Sequence, residues 1–144
     1  MLLARWDIRP DNRAMYERVT RSIFVAVKPA YLDDQSDPEG DRFVWSYTVT
    51  IENRGSEPVQ LVSRYWNIVD GSGRVKEIRG PGVVGAQPVI APGECFEYTS
   101  GCPLETASGL MSGRYQMKAA SGEAFEAEIP LFLLESPHEN RQIH

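Results

Sequence analysis

The sequence predicts an all-β domain, a sandwich of about seven antiparallel strands in two sheets. Three observations predict it. From Arg42 to Glu52, the residues Phe43, Trp45, Tyr47, Val49 and Ile51 alternate with Val44, Ser46, Thr48, Thr50 and Glu52, which is the period of a strand with one buried face. From Ser22 onward, short runs rich in Val, Ile, Tyr, Phe and Thr are separated by Gly, Pro, Asn and Asp, the texture of strands and tight turns. Ten prolines scattered through the joints leave little room for helix. Such a chain suits an immunoglobulin-like or fibronectin type III-like sandwich.

The elements follow in order. Residues 1–21 carry Arg5, Arg9, Asp11, Arg13, Glu17, Arg18 and Arg21 among aromatics without a sustained period, and read as an appended segment, partly helical or disordered. The sandwich domain is expected over 22–134. Its strands are Ile23 to Lys28, Arg42 to Glu52, Val59 to Val69, Arg74 to Ile78, Cys95 to Thr99, Leu110 to Ala119 and Ala124 to Ile129. Each ends at turn chemistry: Asn53-Arg54-Gly55-Ser56, Asp70-Gly71-Ser72-Gly73, Ala91-Pro92-Gly93-Glu94 and Ala120-Ser121-Gly122-Glu123, where glycine supplies positive φ and proline fixes the approach. After Pro130 come Leu131-Phe132-Leu133-Leu134 and a polar tail, 135–144, that holds both histidines, His138 and His144.

With 144 residues, 42% of them hydrophobic, one core and one domain are expected. A net charge of -5 argues against duplex nucleic acid, whose phosphates reward a basic face. No apolar run approaches the roughly 20 residues that span a bilayer, so no membrane insertion is expected. Met1-Leu2-Leu3-Ala4 is cut off by Arg5 and Asp7, short of a signal peptide. A cytoplasmic location follows, where Cys95 and Cys102 stay reduced as small packed thiols.

Catalytic chemistry is hard to assemble. Nucleophilic catalysis by Ser or Cys usually needs a nearby histidine, and the predicted sandwich contains none. We expect no enzyme and no cofactor. A zinc site would have to join Cys95 and Cys102 to the tail histidines, without metal-ligand spacing to support it. The loop from Asp33 to Asp41 packs five carboxylates into nine residues; Asp33, Asp34 and Asp37 are its weak candidate ligands for a hard cation. Gln35 and Pro38 break the calcium-loop pattern, so a solvated acidic loop is expected. Gly80-Pro81-Gly82-Val83-Val84-Gly85 matches the letters G-x-G-x-x-G. No helix can start there to bind a dinucleotide, because Pro88 and Pro92 follow. An anion site at Gly80, Gly82, Gly85 and Arg79, with Arg74 and Lys76 alongside, is the remaining functional reading. Pro81 removes one amide donor, and a structural loop is expected.

Several long motifs share one resemblance. Arg79-Gly80-Pro81-Gly82-Val83-Val84-Gly85-Ala86-Gln87-Pro88, Tyr98-Thr99-Ser100-Gly101-Cys102-Pro103-Leu104 and Ser112-Gly113-Arg114-Tyr115-Gln116-Met117 closely resemble the bacterial ApaG family. So do Tyr31-Leu32 followed by Gln35-Ser36-Asp37-Pro38, and Ser63-Arg64-Tyr65-Trp66. The match runs from about Ser22 to Phe132. It implies a fibronectin type III-like sandwich of a three-stranded and a four-stranded sheet, and it brings no established catalytic residues. Related domains in F-box proteins and a polymerase-interacting protein imply a role in protein contacts. The bacterial family's association with cobalt tolerance and magnesium efflux implies an accessory of ion homeostasis. The expected function is therefore a non-enzymatic protein-interaction module with a protein partner and no small-molecule ligand. The alternative is a sensor that binds a divalent cation, or phosphate or pyrophosphate, through the acidic or the glycine loop.

The candidate partner face is Tyr65, Trp66, Arg114, Gln116 and Lys118. Tyr65 and Trp66 are consecutive in one strand, so only one can enter the core. Trp66 is expected inside, with the outward ring beside Arg114, Gln116 and Lys118 if the Leu110 to Ala119 strand pairs alongside. Aromatic plus Arg is a hot-spot composition.

Overall fold

The structure, a computed structural model, describes residues 3–6 and 15–138, the first four by their backbone alone. It is a sandwich of two antiparallel sheets. In chain order the strands are β1 (Leu3–Trp6), β2 (Tyr16–Thr20), β3 (Ile23–Tyr31), β4 (Phe43–Asn53), β5 (Val59–Asp70), β6 (Val75–Pro81), β7 (Val89–Ile90), β8 (Cys95–Leu104), β9 (Ser108–Ala119) and β10 (Ala124–Glu135). The first sheet has the order β1-β8-β4-β3-β2, and the second β10-β9-β5-β6, with β7 also paired to β5.

The seven strands expected from the sequence are β3, β4, β5, β6, β8, β9 and β10. The appended segment needs correction. Tyr16–Thr20 is a strand paired with β3 and Leu3–Trp6 one paired with β8, so the expected three-stranded sheet has five. Residues 7–14 lie outside the described ones. In β2 only Tyr16 turns an aromatic ring inward, 6.1 Å from Phe132, while Glu17, Arg18 and Val19 are exposed. Tyr16 and Thr20 are half-buried, and a single apolar residue on the inward face gives no visible alternation.

Several strands run past the ends expected from the sequence and take in a proline. Pro29 lies in β3 beyond the last residue that β2 pairs, Val27. Pro103 lies in β8 beyond the four residues that β1 pairs, and Pro81 lies in the edge strand β6. Each lies where, among the described residues, one side of its strand has no ladder partner, so no ladder bond with a described residue is lost on that side. Pro130 sits in the edge strand β10, within a register shift between Ile129 and Phe132. That bulge absorbs it.

The core joins Trp45, Val49 and Ile51 of the first sheet to Leu61, Trp66, Met111, Tyr115 and Phe132 of the second. Trp66 is 2% exposed and meets Tyr47 and Phe132 edge-on at 5.2 and 6.0 Å between ring centroids. Burying each such ring stabilises the fold by roughly 1.5–3 kcal/mol. Asn53 ends β4 as a buried polar clasp. Its amide donates to the carbonyls of Glu57 and Ile90 at 2.8 and 2.9 Å and accepts from Gly55 N–H at 2.9 Å. On one side the sheets close where β10 packs on β2 and β3. On the other, a cavity of about 690 Å³ separates β6 from β8. Among the described residues no helix is long and apolar enough to cross a membrane.

Candidate functional site

Tyr65 stands on the outer face of the second sheet, with direct ladder partners Arg79 on β6 and Arg114 on β9. Alternation along β5 sends Trp66 to the core and Tyr65 outward, as expected. The two arginines bracket the Tyr65 ring, with guanidinium carbons 4.5 Å (Arg79) and 4.2 Å (Arg114) from its centroid. The Tyr65 hydroxyl donates to Glu77 at 2.5 Å. Arg114 Nε and Gln116 Nε2 both donate to Glu126, at 3.2 and 2.5 Å. Of the proposed partner face, Tyr65, Arg114, Gln116 and Lys118 therefore share one surface, while Trp66 is removed from it as a core residue. The structure adds Arg79, Glu77 and Glu126. Long side chains held in one geometry before binding lose less entropy on binding.

Beside this polar cluster lies an apolar row that the sequence reading missed. Leu133 of β10, Leu110 of β9, Val69 of β5 and Val75 of β6 are consecutive ladder partners and cross all four strands of the sheet. Val75 is 62% exposed and Leu133 39%, with Leu131 close by at 57%. Four of the five large exposed apolar side chains among the described residues, Val75, Val89, Leu131 and Leu133, belong to strands of this sheet. Val75 and Leu133 share the row, whereas Val89 lies towards the other end of β5, opposite Gln60. The Leu131 to Leu134 run was visible in the sequence, but its register was not, because the bulge at Pro130 resets which residues point outward.

The glycine loop is a tight hairpin. Val83 and Ala86 exchange both N–H to C=O bonds at 2.8 Å, and Gly82 N–H donates to Val62. Val84 and Gly85 between them have φ of 44° and 80°, the two positive values of a type I′ turn. A Cβ at Gly82 would lie 2.1 Å from the Ala86 carbonyl oxygen, so glycine is required there. The Arg64 guanidinium donates to the carbonyls of Pro81 and Gly82, at 2.9 Å each. The amides of Gly82, Val83 and Ala86 are thus spent within the fold, Pro81 has none, and Arg79 lies on Tyr65.

Asp33 and Asp34 lie in one 3-10 turn, and Asp37 precedes another at Pro38–Gly40; all three are exposed. Among the described residues no three His, Cys, Asp or Glu side chains gather as metal ligands. Cys95 and Cys102 are buried in β8 and are not joined in a disulfide. Burial pushes the Cys102 thiol up to about 11, and the nearby Lys76 pulls it down. His138 packs instead on Tyr31 and Phe43, and His144 lies outside the described residues.

Residues 33–119 match the model of the ApaG domain family. The chain belongs to the ApaG family. Protein ApaG of Parvibaculum lavamentivorans is 58% identical over 130 residues, covering 90% of this chain and all of that protein. Protein ApaG of Rhodospirillum centenum is 64% identical over 124 residues, covering 86% and 95%. The crystal structure of the ApaA protein of Bordetella pertussis matches with a TM-score of 0.78 at 51% identity, over 85% of this chain and 96% of that one. In this ApaG domain the motif Ser63-Arg64-Tyr65-Trp66 divides its labour by alternation: Arg64 clamps the glycine hairpin, Tyr65 faces solvent and Trp66 fills the core.

Proposed function

We propose that this ApaG domain is a non-enzymatic protein-interaction module whose contact face is the outer surface of the β10-β9-β5-β6 sheet. One observation carries the reading: an exposed apolar row, Val75-Val69-Leu110-Leu133, runs beside a Tyr65 ring already clamped between Arg79 and Arg114. An apolar patch supplies burial, and Tyr and Arg are the residues that dominate interface energetics. We place the module in the cytoplasm, with a role in cobalt and magnesium homeostasis exerted through its protein partner.

The test is a comparison of captured proteins. Wild type, Tyr65→Ala and Leu133→Ser are immobilised and exposed to extract of the source cell. Proteins retained by wild type should fall at least tenfold on both variants, each checked for folding. Equal retention on all three overturns the face. The sensor reading, by contrast, requires saturable micromolar binding of cobalt, magnesium or pyrophosphate to the purified chain.

A further inference from the structure

We infer that the trench between β6 and β8 takes an extended peptide that adds as a strand to the free edge of β6 and carries an apolar and an acidic residue two positions apart. The inference rests on the module reading but uses a different surface. Among the described residues β6 has one ladder partner, β5, so its other backbone edge has none. Across the trench, the described ladder partners of Ser100–Leu104 of β8 are all on β4. Among the described residues, two edges without a second partner thus flank one cavity. Pro103 weakens the β8 edge by removing a donor. Val75 to Ile78 contains no proline, which leaves β6 as the edge able to accept a ladder.

The side chains state what the peptide must offer. The cavity of about 690 Å³ is floored by Tyr47, Trp66, Ile68 and Met111. A second cavity of about 390 Å³, under the glycine hairpin, shares Tyr47 and Trp66 with it. That is room for a few side chains. β6 carries the charges usual for an edge strand, Lys76, Glu77 and Arg79, yet it keeps Val75 exposed and Ile78 half-buried beside the opening. Asp41, Asp70, Arg74 and Glu105 also line the trench, and Arg74 pairs with Asp70 and Glu105; Lys76 and Arg42 line it with no ion-pair partner among the described residues. Lys76 and Cys102 line the same cavity. Lys76 and Ile78 are on one face of β6, opposite Ile68 and Trp66. A peptide strand paired with β6 has the same two-residue period, so it sets a carboxylate against Lys76 and an apolar side chain against Ile78 and the Trp66 floor.

The experiment selects a phage library of random eight-residue peptides on the immobilised full chain, then titrates the enriched peptides into labelled protein. Enrichment of an acidic and an apolar residue two apart is expected. Saturable amide shifts should centre on Val75 to Ile78 and on the Trp66 indole. Lys76→Glu, at an exposed position, should weaken the peptides at least tenfold, and N-methylation of the peptide backbone between the two residues should do the same. No enrichment, enrichment without that spacing, or indifference to Lys76→Glu or to N-methylation each overturns the proposal. Peptides lost on Tyr65→Ala but unaffected by Lys76→Glu would overturn the trench and leave the outer-face reading standing.

Discussion

The Arg114 guanidinium lies 4.2 Å from the centre of the Tyr65 ring, across a ladder that makes the two residues direct partners. At exposed sites such a contact stabilises by about 0.5–1 kcal/mol. A second arginine, Arg79, covers the other side. Its neighbour Trp66 does the opposite work, filling the core between Tyr47 and Phe132.

Tyr65→Ala and Trp66→Ala should therefore separate in urea melts. Trp66→Ala should cost about 3–5 kcal/mol, and Tyr65→Ala about 1–2 kcal/mol from the two lost cation–π contacts. Equal losses would mean that Tyr65 is covered by the chain itself.

The buried Asn53 side chain makes three hydrogen bonds, the one to Ile90 buried and the other two part-buried, so Asn53→Ala strands two carbonyls and an amide at a cost of about 2–4 kcal/mol. Asn53→Asp sets a carboxylate against the Glu57 and Ile90 carbonyls, which raises the pKa of that carboxyl. Its deficit should shrink as pH falls and the group protonates. A deficit independent of pH in denaturant melts would contradict the clasp.

The hairpin is tested by paired glycine variants. Gly82→Ala drives a methyl against the Ala86 carbonyl, whereas at Gly85 the space is open and only the positive φ resists. Gly85→Ala should cost about 1 kcal/mol and Gly82→Ala clearly more, read from urea midpoints. Equal costs would show that the hairpin is not closed as described.

Alkaline stability tests the buried thiol. Burial holds Cys102 at about 11 against an ordinary 9.0, and raises Tyr98 and Tyr115 as well. The unfolded chain releases these protons first, so stability is unaffected below about pH 9 and falls as pH rises from 9 to 11. Cys102→Ala should flatten part of that decline. An unchanged slope would place the thiol in solvent.

The sandwich was legible in the sequence because Phe43 to Ile51 and their counterparts alternate cleanly, and because glycine-bearing turns separate the strands. Strand ends were less legible. Whether Pro29, Pro81 or Pro103 interrupts a strand depends on whether a neighbour pairs there, and that is a property of the sheet rather than of the residue. β2 escaped for a related reason, since Tyr16 is its one half-buried apolar residue. Tyr65, Arg114, Gln116 and Lys118 were found through strict alternation. Val69, Val75, Leu110 and Leu133 were not, because a row across four strands exists only once register is known, and the Pro130 bulge hides the register of β10.

The central claim, that the outer face of the second sheet meets a protein, is tested most directly by photocrosslinking in the source cell. A benzoylphenylalanine at Gln116, exposed beside the Tyr65 cluster, is compared with one at Arg18, exposed on β2 in the other sheet. The account predicts discrete protein adducts from position 116, lost when Tyr65→Ala is added, and none of them from position 18. Adducts that are the same from both positions, or that persist with Tyr65→Ala, would contradict it.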